Sequence, residues 1–187
     1  MATHTSPNDP ITLIGPGGAG KTTTGRLIAD RIGATFFDLD ECFLQQTGNI
    51  TEWIHKHGYA AYARQNVVNY LDLAPRVDAV LALSSGFMTY DADIHPRYRE
   101  VRAAIAAGPL TYVLLPSPTK PLAVVETVRR QLQRSIPVES VERETEKARR
   151  RYDVYSAIGA PIVYTDTQPD RVAGMIIGLA GSRQTHP

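Results

Sequence analysis

Gly15-Pro16-Gly17-Gly18-Ala19-Gly20-Lys21-Thr22 follows directly on the apolar run Ile11 to Ile14 and leads into TTTGRLIADRIG, Thr22 to Gly33. The octet fills every fixed position of G-x-x-x-x-G-K-[ST] in a strand, loop and helix context. Successive backbone N–H groups must turn inward around a polyphosphate, and glycines permit both the dihedrals and the close approach. Lys21 can then reach the β- and γ-phosphates, Thr22 can ligate Mg²⁺, and the helix N-terminus adds partial positive charge. Gly15, Gly17, Gly18, Ala19, Gly20, Lys21, Thr22 and Thr23 are therefore the expected nucleotide contacts. The motif reports the donor and not the acceptor. ATP is the expected donor, with GTP left open by the motif although no N-K-x-D-like guanine reader is present.

Outward from this loop, short apolar runs alternate with longer amphipathic stretches, the pattern of a parallel sheet covered on both faces. Five strands are expected, at Ile11 to Ile14, Thr35 to Phe37, Ala79 to Leu83, Leu110 to Leu115 and Ile162 to Tyr164. Their near-continuous apolar character predicts burial on both sides. From Tyr59 the residues Tyr62, Ala63, Asn66, Val67, Tyr70 and Leu71 mark one helical face. Val141, Thr145, Ala148, Tyr152 and Tyr155 mark another, with Glu139/Arg143 and Glu146/Arg150 as pairs on its wet side. In the basic run, Arg149 and Arg150 read as solvated charges, and Arg151 is taken up below.

The chain has 187 residues, close to the roughly 150 of one typical domain. With 43% hydrophobic and 21% charged residues it has ordinary globular usage, which excludes disordered and fibrous classes. Twenty Lys plus Arg against 19 Asp plus Glu leave a net charge of +1, so no global field draws a nucleic acid or an anionic membrane. The lone Cys42 cannot form an intrachain disulfide and reads as a buried, inert thiol in a reducing compartment. MATHTSPNDP lacks the basic and apolar regions of a signal peptide, and no apolar run approaches the roughly 18 residues of a membrane span. A cytoplasmic monomer is the expectation. One domain is expected over residues 10 to 180, between disordered ends at 1 to 9 and 181 to 187.

The second strand runs into Phe36-Phe37-Asp38-Leu39-Asp40. Ligands of parallel sheets sit outside the carboxyl ends of the strands, which brings both carboxylates beside the triphosphate. If the chain stays extended, alternation points Asp38 and Asp40 to one side. Asp38 then suits the metal, and Asp40 suits the acceptor hydroxyl. The alternative is that one of them caps a helix beginning near Glu41. His55, His57 and His95 have no metal-ligand spacing and read as surface or cap residues. Trp53 reads as core more readily than as a stacking platform.

The phosphate loop, the Asp-x-Asp, and Gln46-Thr47-Gly48-Asn49-Ile50-Thr51-Glu52-Trp53-Ile54 with Gly58 and Tyr62 resemble shikimate kinases in order and spacing. The resemblance resumes at Arg134-Ser135-Ile136-Pro137, similar to the family's Arg-Pro lid. It continues with Arg151 four residues before Tyr155, and with Thr165-Asp166-Thr167-Gln168-Pro169 after the last strand. It implies a P-loop NTPase fold of the nucleoside-monophosphate-kinase type, α/β with sheet order 2-3-1-4-5. Acceptor-binding helices would lie at about 40 to 74 and a small lid at about 134 to 141. It also implies γ-phosphoryl transfer from ATP, with Mg²⁺, to the 3-hydroxyl of shikimate. Lys21, Asp40 and Arg134 would be catalytic, Thr22 and Asp38 would serve the metal, and Arg130, Thr167 and Pro169 would border the nucleotide. Asp40, Arg64, Ser85, Gly86 and Arg151 would meet the acceptor, with Arg151 on its carboxylate.

The chain departs from that pattern on the acceptor side. Where the family usually reads Gly-Glu-x-x-Phe-Arg-x-x-Glu, it has Gly58-Tyr59-Ala60-Ala61-Tyr62-Ala63-Arg64-Gln65-Asn66. The substrate arginine is Ala63, and the acidic neighbours are Tyr59 and Asn66. Losing the whole ionic set together avoids leaving carboxylates unpaired in a cleft. Arg64 lies about 100° round the helix from Ala63 and replaces the lost guanidinium only if its side chain bends back or the helix shifts. Ser84-Ser85-Gly86-Phe87 replaces a triple-Gly turn, either narrowing the acceptor's room or bonding it through a hydroxyl. Three readings follow: a shikimate kinase, a kinase of another polyol or cyclitol, and a nucleotide-binding regulator without transfer chemistry.

Overall fold

The computed structural model describes residues 9–74, 78–133 and 140–184. Residues 1 to 8 and 185 to 187 of the expected ends lie outside them, as do Arg134 to Glu139 of the expected lid.

Five strands form one parallel sheet in the order β2-β3-β1-β4-β5. They are β1 (Ile11–Ile14), β2 (Thr35–Asp38), β3 (Ala79–Ala82), β4 (Thr111–Leu115) and β5 (Ile162–Tyr164). Each lies within a residue of its expected bounds at either end. The sheet order is the one the resemblance implied. Burial on both faces explains the apolar runs of β1, β3 and β4, because alternate residues enter opposite cores, whereas the edge strands β2 and β5 are only partly buried, contrary to expectation. Ile14, Leu81, Val113 and Leu115 pack with Ala63, Val67, Tyr98 and Tyr155 on one face. Leu13, Val80, Tyr112 and Leu114 pack with Ile28, Ala173 and Ile176 on the other.

The helices are α1 (Lys21–Ile32), α2 (Leu39–Thr47), α3 (Ile50–His57), α4 (Tyr59–Leu73), α5 (Tyr98–Ala107), α6 (Lys120–Leu132), α7 (Val141–Ser156) and α8 (Pro169–Gln184). None of the described helices is long and apolar enough to cross a membrane. Helix α1 runs from Gly20 to Gly33, both in the left-handed region, and the Gly33 N–H closes the last turn on Ala29 O. Asn49 caps α3 by accepting from the N–H groups of Thr51 and Glu52. The α4 face is buried from Tyr62 to Val67, and Tyr59 at its start is exposed. In α7, Ala148 and Tyr155 are buried as expected, whereas Val141 is exposed.

Three expectations change. Helix α8 continues through Gln184, so residues 181 to 184 are helical and not a disordered tail. Glu146 pairs with Arg149, 3.8 Å away and three residues on, in place of the expected i,i+4 partner Arg150. Ser140 and Val141, placed in the lid, are the cap and first residue of α7, with Ser140 Oγ accepting from Arg143 N at 3.2 Å. Arg149 and Arg150 are exposed, in line with solvated charges. Cys42 is half-buried against the first core.

Leu13 pairs with Ala82, which also pairs with Asp38, so these three residues lie on one level of the sheet. The phosphate loop, the Ser84-Ser85-Gly86 turn and the start of α2 therefore open along one edge. Gly15 leaves β1 with φ +151°, and a Cβ there would sit 2.3 Å from Leu114 O of the neighbouring strand. That carbonyl is fixed in the sheet and cannot retreat. Gly15→Ala is expected to destabilise the protein by about 2 kcal/mol or more through overpacking, read as a lower urea midpoint.

Candidate active site

The phosphate loop is held from behind by α6 and by the segment after β5. Gln131 places its side-chain Nε2 1.7 Å from where a Gly17 Cβ would lie, so its amide occupies the space that a side chain there would need. Arg130 donates from Nη1 to Gly18 O at 3.0 Å and to Thr165 Oγ1 at 3.1 Å, and from Nη2 to Thr165 O at 2.9 Å. Its Nε is held by Glu126 at 2.6 Å. Hydrogen bonds from Arg129 and then Arg130 keep that carboxyl down at about 2, so Glu126 stays ionised across the neutral range. Gly18, Gly20, Thr23, Arg130, Thr165, Thr167 and Pro169 line a cavity of about 290 Å³ beside the loop. Of the expected nucleotide residues, Gly18, Gly20, Thr23, Arg130, Thr167 and Pro169 line this cavity, Ala19 is fully buried, and Gly15, Gly17, Lys21 and Thr22 do not line it. Lys21 Nζ, itself buried, donates to Gly15 O at 2.8 Å and Pro16 O at 3.0 Å.

Strand β2 ends at Asp38, and the chain turns helical at Leu39, so the extended geometry expected to aim Asp38 and Asp40 together is absent. Asp38 caps the helix that follows, the alternative the sequence leaves open. Its Oδ1 caps α2 by accepting from Asp40 N at 2.9 Å and Glu41 N at 3.4 Å. Its Oδ2 accepts from Thr22 Oγ1 at 2.6 Å. Burial pushes its carboxyl above the ordinary aspartate range, and the Thr22 hydroxyl pulls the other way. Among the described residues no group of three or more His, Cys, Asp or Glu is placed to hold a metal ion. A Mg²⁺ that arrives with phosphates needs only one or two protein oxygens, and the Thr22 hydroxyl and Asp38 carboxylate are hard donors of that kind.

Beyond Asp38 a cleft of about 460 Å³ is lined by Asp40, Asn49, Ile54, Tyr59, Tyr62, Ser85, Gly86, Gln131, Glu144, Lys147 and Arg151. Gln131 borders both the cleft and Gly17, which places the cleft next to the phosphate loop. Asp40 Oδ1 accepts from Tyr62 OH at 2.7 Å. Arg151 is 8% exposed, donates from Nη1 to Ser85 Oγ at 3.1 Å, and has a buried Nε with no partner. No salt bridge joins it to a carboxylate among the described residues. A buried, uncompensated guanidinium is costly, and an anionic ligand would offset that cost. Gly86 is crowded, since a Cβ there would lie 2.4 Å from Tyr59 OH and 3.1 Å from Arg151 Nη2.

Arg64 requires a correction. It is exposed, donates from Nε to Ile94 O at 3.1 Å, and does not line the cleft. Its position round α4 from the buried Ala63 decides this, because the helix packs Ala63 inward and turns the next residue to solvent. Ser84 is buried and donates to Asn66 Oδ1 at 2.9 Å, which leaves Ser85 as the serine of that turn on the cleft. His55 and His57 are exposed, and His95 Nδ1 accepts from Arg97 N at 3.2 Å near the start of α5. Trp53 is half-buried and stacks on His57 at 4.2 Å. Arg134 lies outside the described residues. Gln131, Glu144 and Lys147 were not singled out in sequence, because no motif marks a helical side chain whose role depends on a neighbouring helix.

Comparison with known proteins agrees with this geometry. The shikimate kinase family model matches residues 17–179. Shikimate kinase of Alteromonas mediterranea is 34% identical over 178 residues, 91% of this chain and 96% of that one. The match with shikimate kinase of Acinetobacter baylyi is 40% identical over 90 residues, so it spans about half of each chain, 48% and 49%. Among solved structures, shikimate kinase from Acinetobacter baumannii in complex with shikimate superimposes with a TM-score of 0.75, at 25% identity over 96% of both chains. A gluconokinase from Sinorhizobium meliloti shares the fold with a TM-score of 0.60, at 14% identity over 94% of this chain and 93% of that one. With a family match across most of its length and a relative one-third identical over nearly all of it, the chain belongs to the shikimate kinase family.

Proposed function

We propose that the protein transfers the γ-phosphoryl group of ATP to the 3-hydroxyl of shikimate. The observation that carries this reading is a single cleft beside the phosphate loop, lined by the Asp40 carboxylate and by the buried Arg151, which pairs with no carboxylate among the described residues. Shikimate presents the matching pair, a ring hydroxyl and a carboxylate. The loop N–H groups, the α1 N-terminus and Lys21 bind the triphosphate. Thr22 and Asp38 hold Mg²⁺, which when bound neutralises charge on the β- and γ-oxygens. Arg151 anchors the acceptor carboxylate, and Asp40 takes the proton of the attacking hydroxyl. The acceptor oxygen bonds to the γ-phosphorus, the bond from that phosphorus to the β,γ-bridging oxygen breaks, and ADP departs with the electron pair. Catalysis in this reading is positioning plus charge neutralisation. The protein acts as a cytoplasmic monomer on a small carboxylate-bearing acceptor, without nucleic-acid or membrane partners. The net charge of +1 supports the last point, since it offers no global field for either polyanion.

A second reading, a kinase of another polyol or cyclitol, rests on the buried Ala63 and the outward Arg64, which leave Arg151 the only guanidinium lining the cleft among the described residues. A coupled ADP-release assay with shikimate and with carboxylate-free polyols separates the two. Micromolar shikimate turning over well above the ATPase background favours the first, and preference for a neutral polyol favours the second.

Two substitutions test the assigned roles. Lys21→Ala is expected to lower kcat by about 100-fold or more, since a preorganised charge at the transferring phosphoryl group is lost. It should also weaken ATP binding by calorimetry, and unchanged affinity would mean that the loop has been misread. Arg151→Gln should reduce kcat/KM for shikimate by about 30-fold or more while the KM for ATP stays put. An equal loss with a carboxylate-free acceptor would count against an anion-anchoring role.

A further inference from the structure

The departures from the family pattern are not scattered. Tyr62, Asn66 and Ser84 form one buried cluster, in which the Ser84 and Asn66 pair holds the backbone carbonyl of Tyr62 and the Tyr62 hydroxyl reaches Asp40. Ser84 Oγ, at the end of β3, donates to Asn66 Oδ1 at 2.9 Å. Asn66 Nδ2 donates to Tyr62 O at 3.2 Å, one turn earlier on α4. Tyr62 OH donates to Asp40 Oδ1 at 2.7 Å. Asn66 is fully buried and Ser84 nearly so, so each satisfies the other where water is excluded.

The ionised carboxylate can only accept, which sets the direction of the Tyr62 bond. Burial, with the Asp40 charge beside it, raises the Tyr62 phenol well above its ordinary value, so the proton stays on the phenol. The ring is itself wedged by edge contact with Phe43, 4.9 Å between centroids, and by Tyr59 at 5.7 Å. An aspartate's terminal torsion is broad and two-fold, so a half-buried carboxylate on its own samples many orientations. A fixed donor on Oδ1 removes that freedom and leaves Oδ2 for the acceptor. Charge-assisted bonds of this kind are among the strong ones.

We propose that Tyr62, braced by the Asn66 and Ser84 pair, is a positioning residue that orients Asp40 toward the acceptor hydroxyl. The inference rests on the reading that Asp40 takes that hydroxyl's proton. It assigns a purpose to residues that stand where the family pattern has an aromatic without a hydroxyl, an acid and a glycine. Where the family pattern has an ionic set this chain has neutral side chains, and one of them, Tyr62, bonds the Asp40 carboxylate.

The test is a double-mutant cycle of Tyr62→Phe and Asp40→Asn, assayed in single turnover with ATP and shikimate. Tyr62→Phe keeps the ring and should leave the protein folded, with the KM for ATP unchanged. The bond lost is one to a charged group, so kcat should fall by about tenfold or more. In the Asp40→Asn background the same change should cost nothing further, because the residue acts only through that carboxylate. Ser84→Ala should lower kcat in the same direction. An unchanged kcat in Tyr62→Phe, or the same loss with and without Asp40, would overturn the positioning role. If Asp40→Asn alone keeps full turnover, the proton-accepting role of Asp40 fails instead, and the inference falls with it.

Discussion

The carboxylate of Asp38 is held on one side by the Thr22 hydroxyl of α1 and on the other by the first N–H groups of α2. Its backbone is the last residue of β2, in register with Ala82 of β3. Three elements are thus tied by one side chain, and both halves of the active site hang from the tie. On the nucleotide side it borders Thr22 at the mouth of the phosphate loop. On the acceptor side it ends the strand and starts the helix, which sets where Asp40 stands. Burial raises this carboxyl, and only the donors around it make the ionised form tolerable.

The nucleotide side is built by backbone and the acceptor side by side chains. Around the loop, Arg130 reaches carbonyl oxygens of Gly18 and Thr165, and Gln131 fills the space beside Gly17. Such contacts use glycine where the approach is closest and a planar, multi-donor fork behind it. In the cleft, the Tyr59 hydroxyl and the Arg151 guanidinium crowd Gly86, and Tyr62 reaches Asp40. That wall has been rebuilt with neutral hydroxyls and amides where the family pattern has charges, while Arg151 keeps its guanidinium. The cleft thus carries one buried cation and several directed hydrogen bonds in a chain whose overall charge is near balance.

Much of the fold was legible because its signals are local. Apolar runs buried on both faces mark β1, β3 and β4, and the G-x-x-x-x-G-K-[ST] octet announces its own loop and helix. Boundaries failed where local rules compete. Residues 181 to 184 read as a polar end, yet α8 continues through them because Ile176 and Ala180 anchor that helix on the core. Alternation suggested that Asp38 and Asp40 share a side, but Asp38 is a strong helix cap and the cap prevailed over extension.

Residue type and spacing along the chain therefore determined the phosphate loop, the sheet class and the carboxylates after the second strand, since each depends on neighbours within a few positions. Tertiary structure alone decided that Arg64 turns to solvent, that Ser84 is committed to Asn66, and that Gln131 backs the loop. It also decided that Tyr62 holds Asp40 across 22 residues. The direction of a side chain is set by the packing of the helix that carries it, and packing joins residues whose separation in sequence has no fixed period.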